Sequence, residues 1–407
     1  MNFPRLAILA CVFATNASAL DWPQWRGPDR TDVSKETGLL KQWPADGPKQ
    51  VWIFKNAGNG YSGPAIVGGK LFTLGTRDGK EVLLALDTNT GKELWTQPIS
   101  DVLKNDWGGG PRGTPTVDGA KIYALSGPGT LACVNAADGK EIWNTKMSDA
   151  GGQVPTWGYT ESPLVDGNQV VVTPGGEKGA IAAYDKATGK LLWQSKDFTD
   201  GAQYSSLVPA TINGQKQYVQ LTMQHFAGVA ANDGALLWKQ DFPGSTAVIP
   251  TPIVKDNLVY ATAGYGVGCI AVKVEPGNTV TPVYRNKVMQ NHHGGVILYK
   301  DHLYGCSDKT WVCQDFASGE QVWAEKDKLG KGAIGYADGM FYCLDESSGT
   351  VALIEASPNG WAEHGRFKLD PQTAIRSSKG RIWTHPVIVD GRLYLRDQDL
   401  IYCYAVK

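Results

Sequence analysis

Along most of the chain, apolar and polar residues alternate in runs too short for a helix. Each run is broken by an Asp-Gly or Gly-Gly pair. Pro64-Ala65-Ile66-Val67-Gly68-Gly69-Lys70-Leu71-Phe72 and Pro115-Thr116-Val117-Asp118-Gly119-Ala120-Lys121-Ile122-Tyr123 show the cadence most cleanly. It returns at 163–172, 209–219, 252–260, 295–304, 333–342 and 386–394. A period of two on both sides of such a pair predicts a tight β-hairpin, because Gly and Asp accept the positive φ that the turn demands.

A second pattern lies between these hairpins: a strand, a Thr-Gly-Lys turn and a strand carrying tryptophan. Ala85-Leu86-Asp87-Thr88-Asn89-Thr90-Gly91-Lys92-Glu93-Leu94-Trp95 is the clearest copy. Others end at Trp143, Trp193, Trp238 and Trp323, with worn copies near Tyr284 and Phe367. The aromatic recurs every roughly 40–50 residues, the spacing of four-stranded propeller blades. Trp52 stands as a last strand with no three before it, and the strands it lacks lie at 386–394 and 400–404. The chain therefore reads as an all-β, eight-bladed propeller over 51–407, closed by pairing its N- and C-terminal strands, after a lead segment 20–50. Closure removes the exposed edge of an open sheet.

Composition narrows the function. The 39 Lys+Arg against 40 Asp+Glu give a net charge of −1, so no field draws the chain to nucleic acid. Residues 1–19 read as a cleavable signal peptide: Arg5, a short apolar run from Leu6, and Ala17-Ser18-Ala19 as the cleavage site. Cys11 after Ile8-Leu9-Ala10 fits a lipoprotein signal poorly, so a periplasmic or secreted protein without a membrane span is expected.

Ala85-x-Asp87-x-x-Thr90-Gly91-Lys92-x-x-Trp95 and Ala183-x-Asp185-x-x-Thr188-Gly189-Lys190-x-x-Trp193 resemble the tryptophan-docking repeat of the pyrroloquinoline quinone (PQQ) propeller family. That family holds quinoprotein dehydrogenases and also the non-enzymatic BamB-type assembly propeller. A dehydrogenase of this kind would imply PQQ with calcium, oxidising alcohols or sugars. The resemblance implies for it a disulfide ring between two adjacent cysteines, and no two cysteines of this chain are adjacent; it also implies a Glu in a Gly-rich turn, to which Gly175-Gly176-Glu177-Lys178-Gly179 is similar. No Cys-x-x-Cys-His for covalent haem is present.

The turns within hairpins are uniform and carry turn chemistry only. The opposite face collects long irregular connections at 104–113, 153–161, 201–206, 289–294 and 375–385. They bring Trp107, Arg112, Trp157, Tyr159, Glu161, Tyr204, His292, His293, Trp383 and His385 to one end, while connections within blades add His225, Tyr265, Asp308, Glu346, Arg396 and Asp397. An aromatic mouth with a few polar groups is where a ligand is expected. Trp95, Trp143, Trp193, Trp238 and Trp323 belong instead to the repeat and should pack between sheets. The dehydrogenase reading would use Arg112, Glu161 and Asp308 around a quinone on Trp157 or Trp383. His292 and His293, with His225 or His385, match no zinc spacing, so no metal ligand is assigned. Ser205 and Ser206 lack the context of a nucleophile. Cys306 and Cys313 flank one hairpin and are the pair placed to bridge in an oxidising compartment. The segment Asp21-Trp22-Pro23-Gln24-Trp25-Arg26-Gly27 is expected on the propeller rim with both tryptophans buried. The leading expectation is an exported module that binds a small polar ligand, a glycan or a protein through its irregular face. A PQQ- and calcium-dependent dehydrogenase and a BamB-like scaffold are the alternatives.

Overall fold

A computed structural model describes residues 20–407; the signal-peptide reading of 1–19 lies outside the described residues. Eight four-stranded antiparallel sheets form in chain order, and the innermost strands are short where the Asp-Gly turns follow closely. Blade 1 begins at Ala65–Val67, blade 2 at Thr116–Asp118, blade 3 at Leu164–Asp166 and blade 4 at Val208–Ile212. Blades 5 to 8 begin at Ile253–Lys255, Asn291–Tyr299, Gly332–Ala337 and Val387–Val389. The eighth is completed by Gln50–Phe54 pairing antiparallel with Leu400–Ala405. The eight-bladed propeller and its closure stand as the sequence pattern predicts. Among the described residues the one helical element is the 3-10 turn Met147–Ala150, and no helix is long and apolar enough to cross a membrane.

The repeat explains its own tryptophans. Trp52 lies on Gly91 of the next blade, Trp95 on Gly139, Trp143 on Gly189 and Trp193 on Gly234. A Cβ at Gly189 would stand 2.6 Å from the Trp143 ring, so only glycine admits the indole there. The indole N–H of Trp52 and of Trp143 then donates to a carbonyl of the next blade, Thr88 O at 2.7 Å and Lys186 O at 3.2 Å. The seam is imperfect: Trp95 Nε1 has no partner, and Trp238 turns back to Gln217 of its own blade. In every blade the pairing of the third and outermost strands also slips register near the aromatic. The slip leaves Val51, Leu94, Ile142, Leu192, Val283 and Val322 pointing out. A bulge at each outer edge disrupts its ladder and discourages pairing with another sheet.

The lead segment does not lie on the rim. It threads the central channel and bonds to all eight blades. Trp22 pairs with Ile66 in both directions, and Val117 N–H donates to Pro23 O. The Arg30 guanidinium donates to Ser162 O and Pro163 O at the start of blade 3 and to Leu207 O at the start of blade 4. Trp25 Nε1 reaches Thr251 Oγ1, and Arg26 reaches Val296 O. Tyr336 N–H donates to Asp32 O, and Asp32 Oδ2 meets His385 Nδ1 at 2.9 Å. Val33–Ser34 then adds a short parallel strand to blade 7. Trp22 is buried as expected, but Trp25 is only half-buried because its ring faces a cavity above the plug. Burial pushes the Arg30 guanidinium down to about 10 despite the charge of Glu161. Burial would raise Asp32, but Arg26 and His385 hold it below its ordinary value.

The proposed Cys306–Cys313 bridge does not form: all six described cysteines are free and buried. On their paired strands Cys306 stands opposite Trp311 and Cys313 opposite Tyr304, so each sulfur fills a core position two register steps from the other.

Candidate functional site

The irregular connections and the plug enclose a cavity of about 260 Å³. Its walls are mainly aromatic: Trp25, Tyr61, Trp107, Trp157, Tyr204, Tyr265 and Trp383. Arg112 is the one permanently charged side chain of the lining, and no Asp or Glu lines it. Each ring is held by a second contact. Tyr61 donates to Trp107 O at 2.8 Å, and its face carries the Arg112 guanidinium at 4.5 Å. Arg112 also donates to Trp157 O and Gly108 O, which ties two loops together. Trp157 meets Tyr204 edge-on, with centroids 5.6 Å apart, and Tyr61 leans on Trp383 at 5.0 Å. Such offset and edge contacts are the favoured aromatic geometries.

Serine hydroxyls beside the plug tie the inner connections of neighbouring blades together. Thr114 N–H donates to Ser162 Oγ, Ser162 N–H to Ser206 Oγ, and Ser205 Oγ to Pro250 O. Adjacent blades are thereby pinned at the same height, and Ser205 and Ser206 have a structural use.

Of the residues singled out in the sequence, Trp107, Arg112, Trp157, Tyr204, Tyr265, His292, His293, Trp383 and His385 line the cavity. The rest stand elsewhere. Tyr159 is buried below the loops, donating to Pro174 O and Gln153 O. Glu161 accepts from Thr173 N–H, Thr173 Oγ1 and Gln220 Nε2, and burial raises its carboxyl to about 7. His225 pairs with Asp200 at 2.8 Å. Asp308 is exposed in a turn with φ 54°. Arg396 is buried against Ser62 O, Thr73 Oγ1, Leu74 O and Gln398 O, stapling blade 8 to blade 1, and burial lowers it to about 9. Trp25 and Tyr61 are lining residues missed in the candidate set. Trp25 lies outside the repeat register, as Trp107 does, and Tyr61 holds the connection just before the first inner strand.

The histidine side of the cavity is the most polar. His292 Nε2 meets Tyr265 Oη at 2.8 Å, and His293 Nε2 meets Glu346 Oε2 at 2.5 Å. Trp383 Nε1 donates to the same Glu346 oxygen at 3.0 Å. Burial, then the neighbouring His293 and Lys331, lowers His292 to about 2; burial also lowers His293, against the pull of Glu346. His292 is therefore neutral at neutral pH. Burial alone would raise Glu346, but the His293 bond and charge, with Lys331 and Trp383, hold it below its usual value.

A quinone with calcium needs several hard oxygen donors converging on one cation. The carboxylates assigned to that task do not converge: Glu161 is spent on Thr173 and Gln220, Asp308 is exposed in a turn outside the cavity lining, and Glu177 of the Gly-rich turn is exposed. The donors that do meet are the two imidazoles that line the cavity and the Glu346 carboxylate behind them. These residues do not fit a calcium–quinone pair.

A family model described as outer membrane protein assembly factor BamB matches residues 79–325. The chain is 28% identical over 197 residues to the outer membrane protein assembly factor BamB of Burkholderia pseudomallei, across 46% of this chain and 45% of that relative. The match thus spans less than half of that protein's length. To the BamB of Shewanella oneidensis it is 20% identical over 362 residues, 82% of this chain and 81% of the relative. Among solved structures, quinohemoprotein alcohol dehydrogenase from Comamonas testosteroni superposes with a TM-score of 0.64 over 95% of this chain and 80% of that one. Its sequence identity is 12%, so the likeness is one of fold.

Proposed function

Starting from the fact that this chain belongs to the BamB family of PQQ-type propellers, we propose that it is an exported binding module, with its irregular face as the binding surface. The observation that carries this reading is the aromatic cavity, walled by side chains outside the repeat and floored by a segment bonded to every blade. A pocket that is mostly apolar with a few fixed polar groups is the usual form of a small-molecule site. Its one permanent charge is positive and it has no acidic lining, so the group it takes is an aromatic or apolar body bearing a neutral or anionic tail. The residues that would grip it are Trp107, Arg112, Trp157, Tyr204, Trp383 and the His292–His293 pair.

A protein partner is the second reading, favoured by one further observation. Trp107 and Tyr265 of the lining are exposed, as are Val154 and Ile375 on the irregular connections of the same face, and exposed apolar side chains gathered on one face mark interaction sites. The relatives' title as assembly factors agrees with a polypeptide there.

The test is a titration followed by tryptophan fluorescence, using aromatic carboxylates, apolar extended peptides, and PQQ with Ca²⁺. Saturable quenching by the carboxylates, independent of Ca²⁺ and lost in Trp157→Ala, is expected. Quenching by the peptides alone would favour the protein partner. Ca²⁺-dependent PQQ binding, with reduction of an electron-accepting dye by alcohols or sugars, would overturn both in favour of a dehydrogenase.

A further inference from the structure

We propose that His292, His293 and Glu346 form a binding site for a divalent transition-metal ion of the Zn²⁺ type in the wall of the cavity. One ligand atom from each of the three lies within 4.8 Å of the other two. The placement is built rather than incidental. The first strand of blade 6 loses register between Asn291 and Val296, so the histidines ride on a bulge. Bulges re-aim side chains in this way beside functional sites. Asn291 locks that bulge by donating to Gly295 O and Cys306 O and accepting from Gly295 N–H. Close packing leaves it no freedom: a Cβ at Gly294 would fall on Gly332 O.

A second observation points to a missing partner. His292 Nδ1 is buried with no hydrogen-bond partner while its Nε2 is held by Tyr265, which makes Nδ1 the free ligand atom of that ring. Buried polar atoms are nearly always satisfied, and one that is not calls for an explanation such as an ion. Around the trio stands the outer ring of contacts that metal ligands characteristically have. Trp383 Nε1 fixes the Glu346 carboxylate. His385 Nε2 donates to His293 O, and Asp32 of the plug anchors His385 in turn.

Two imidazoles and one carboxylate suit Zn²⁺, Fe²⁺, Ni²⁺ or Cu²⁺ and not Ca²⁺ or Mg²⁺. At His293 the ion would replace the contact between Nε2 and Glu346 Oε2, the ring proton moving to the unpartnered Nδ1 so that the imidazole stays neutral and no net proton is released. Three protein ligands leave a coordination position open. Both rings line the cavity, so that position faces it and accepts water or an oxygen of a bound molecule. The site rests on its own residues and stands whether or not an organic ligand for the cavity is found.

The mature chain, stripped with a chelator and dialysed, is titrated with Zn²⁺ by calorimetry and counted by elemental analysis, then loaded with Co²⁺ for visible spectroscopy. One ion per chain is expected, with weak d–d bands and no thiolate-to-cobalt charge transfer. His292→Ala and Glu346→Gln should each weaken binding by more than about 10-fold, and Trp383→Phe by roughly 10-fold through the loosened carboxylate. His225→Ala, remote from the cavity, should leave the affinity unchanged. Circular dichroism confirms that each variant is folded, and if His292→Ala fails to fold, Glu346→Gln and Trp383→Phe carry the test. Binding that is substoichiometric, unchanged in Glu346→Gln and Trp383→Phe, or marked by a thiolate band would overturn the site.

Discussion

The molecule holds two populations of tryptophan that do opposite work. Trp52, Trp95, Trp143 and Trp193 repeat in register, each laid on a glycine of the next blade. Trp25, Trp107, Trp157 and Trp383 follow no register and surround one cavity. The first set is interchangeable between blades, and the second is not. The first set holds blade to blade, and the second walls the cavity proposed as the binding site. Breaking a seam should cost stability and spare the mouth, while breaking the mouth should do the reverse.

The largest effect is expected from Trp143→Ala. Trp143 is 8% exposed, docks on Gly189 and donates to Lys186 O. Removing the ring opens a cavity between blades 2 and 3 and should cost about 3–5 kcal/mol. Urea unfolding would measure it, with ligand and metal binding by the folded fraction unchanged. A loss of binding in step with stability would mean that the two populations are not separate.

A carboxylate sharpens the comparison next. Glu161 was placed at the mouth by sequence, yet it is sealed behind it on Thr173 and Gln220 with its carboxyl raised to about 7. A folded-state value above the unfolded one means the native chain holds this proton more tightly. Its contribution is complete below about pH 4.5 and fades as pH rises to about 7. A shift of that size is worth on the order of 3 kcal/mol. Wild type should lose stability between pH 5 and pH 8 relative to Glu161→Gln, which has no proton to give up. Parallel urea curves for the two proteins at both pH values would refute a structural Glu161.

Most of the fold was legible because the repeat advertises itself. A glycine that must admit an indole and an Asp-Gly turn that must reverse the chain leave fixed residues at fixed spacing. Gly189→Ala tests that logic: a Cβ 2.6 Å from Trp143 at φ +71° should cost roughly 1–3 kcal/mol through overpacking, read as a lower urea midpoint. The site was legible only in part, since the cavity is assembled from connections hundreds of residues apart. Residues off the register could be collected, but which of them face inward could not. Trp157 and Glu161 lie four positions apart on one connection, and only the packing of Gln220 and Thr173 sends the second away from the cavity. The plug was misplaced for the same reason. Nothing in the order of Asp21 to Asp32 states that Arg30 would find three carbonyls at the centre of the ring.

The smallest stability change should come from Trp157→Ala, which completes the comparison from the other side. Trp157 is half-buried, and its ring touches Tyr204 edge-on across the cavity. Its backbone carbonyl, not its ring, anchors Arg112. Truncation at Cβ keeps that carbonyl and leaves every seam between blades intact, so the loss should stay under about 1 kcal/mol, as for exposed positions generally. Zn²⁺ affinity should also hold, because Trp157 is on blade 3's connection and the histidines are on blade 6. Quenching by aromatic carboxylates should nevertheless disappear. If instead Trp157→Ala unfolds as readily as Trp143→Ala, then the ring serves as a plug for the channel, and the cavity is a packing defect of the propeller rather than its binding site.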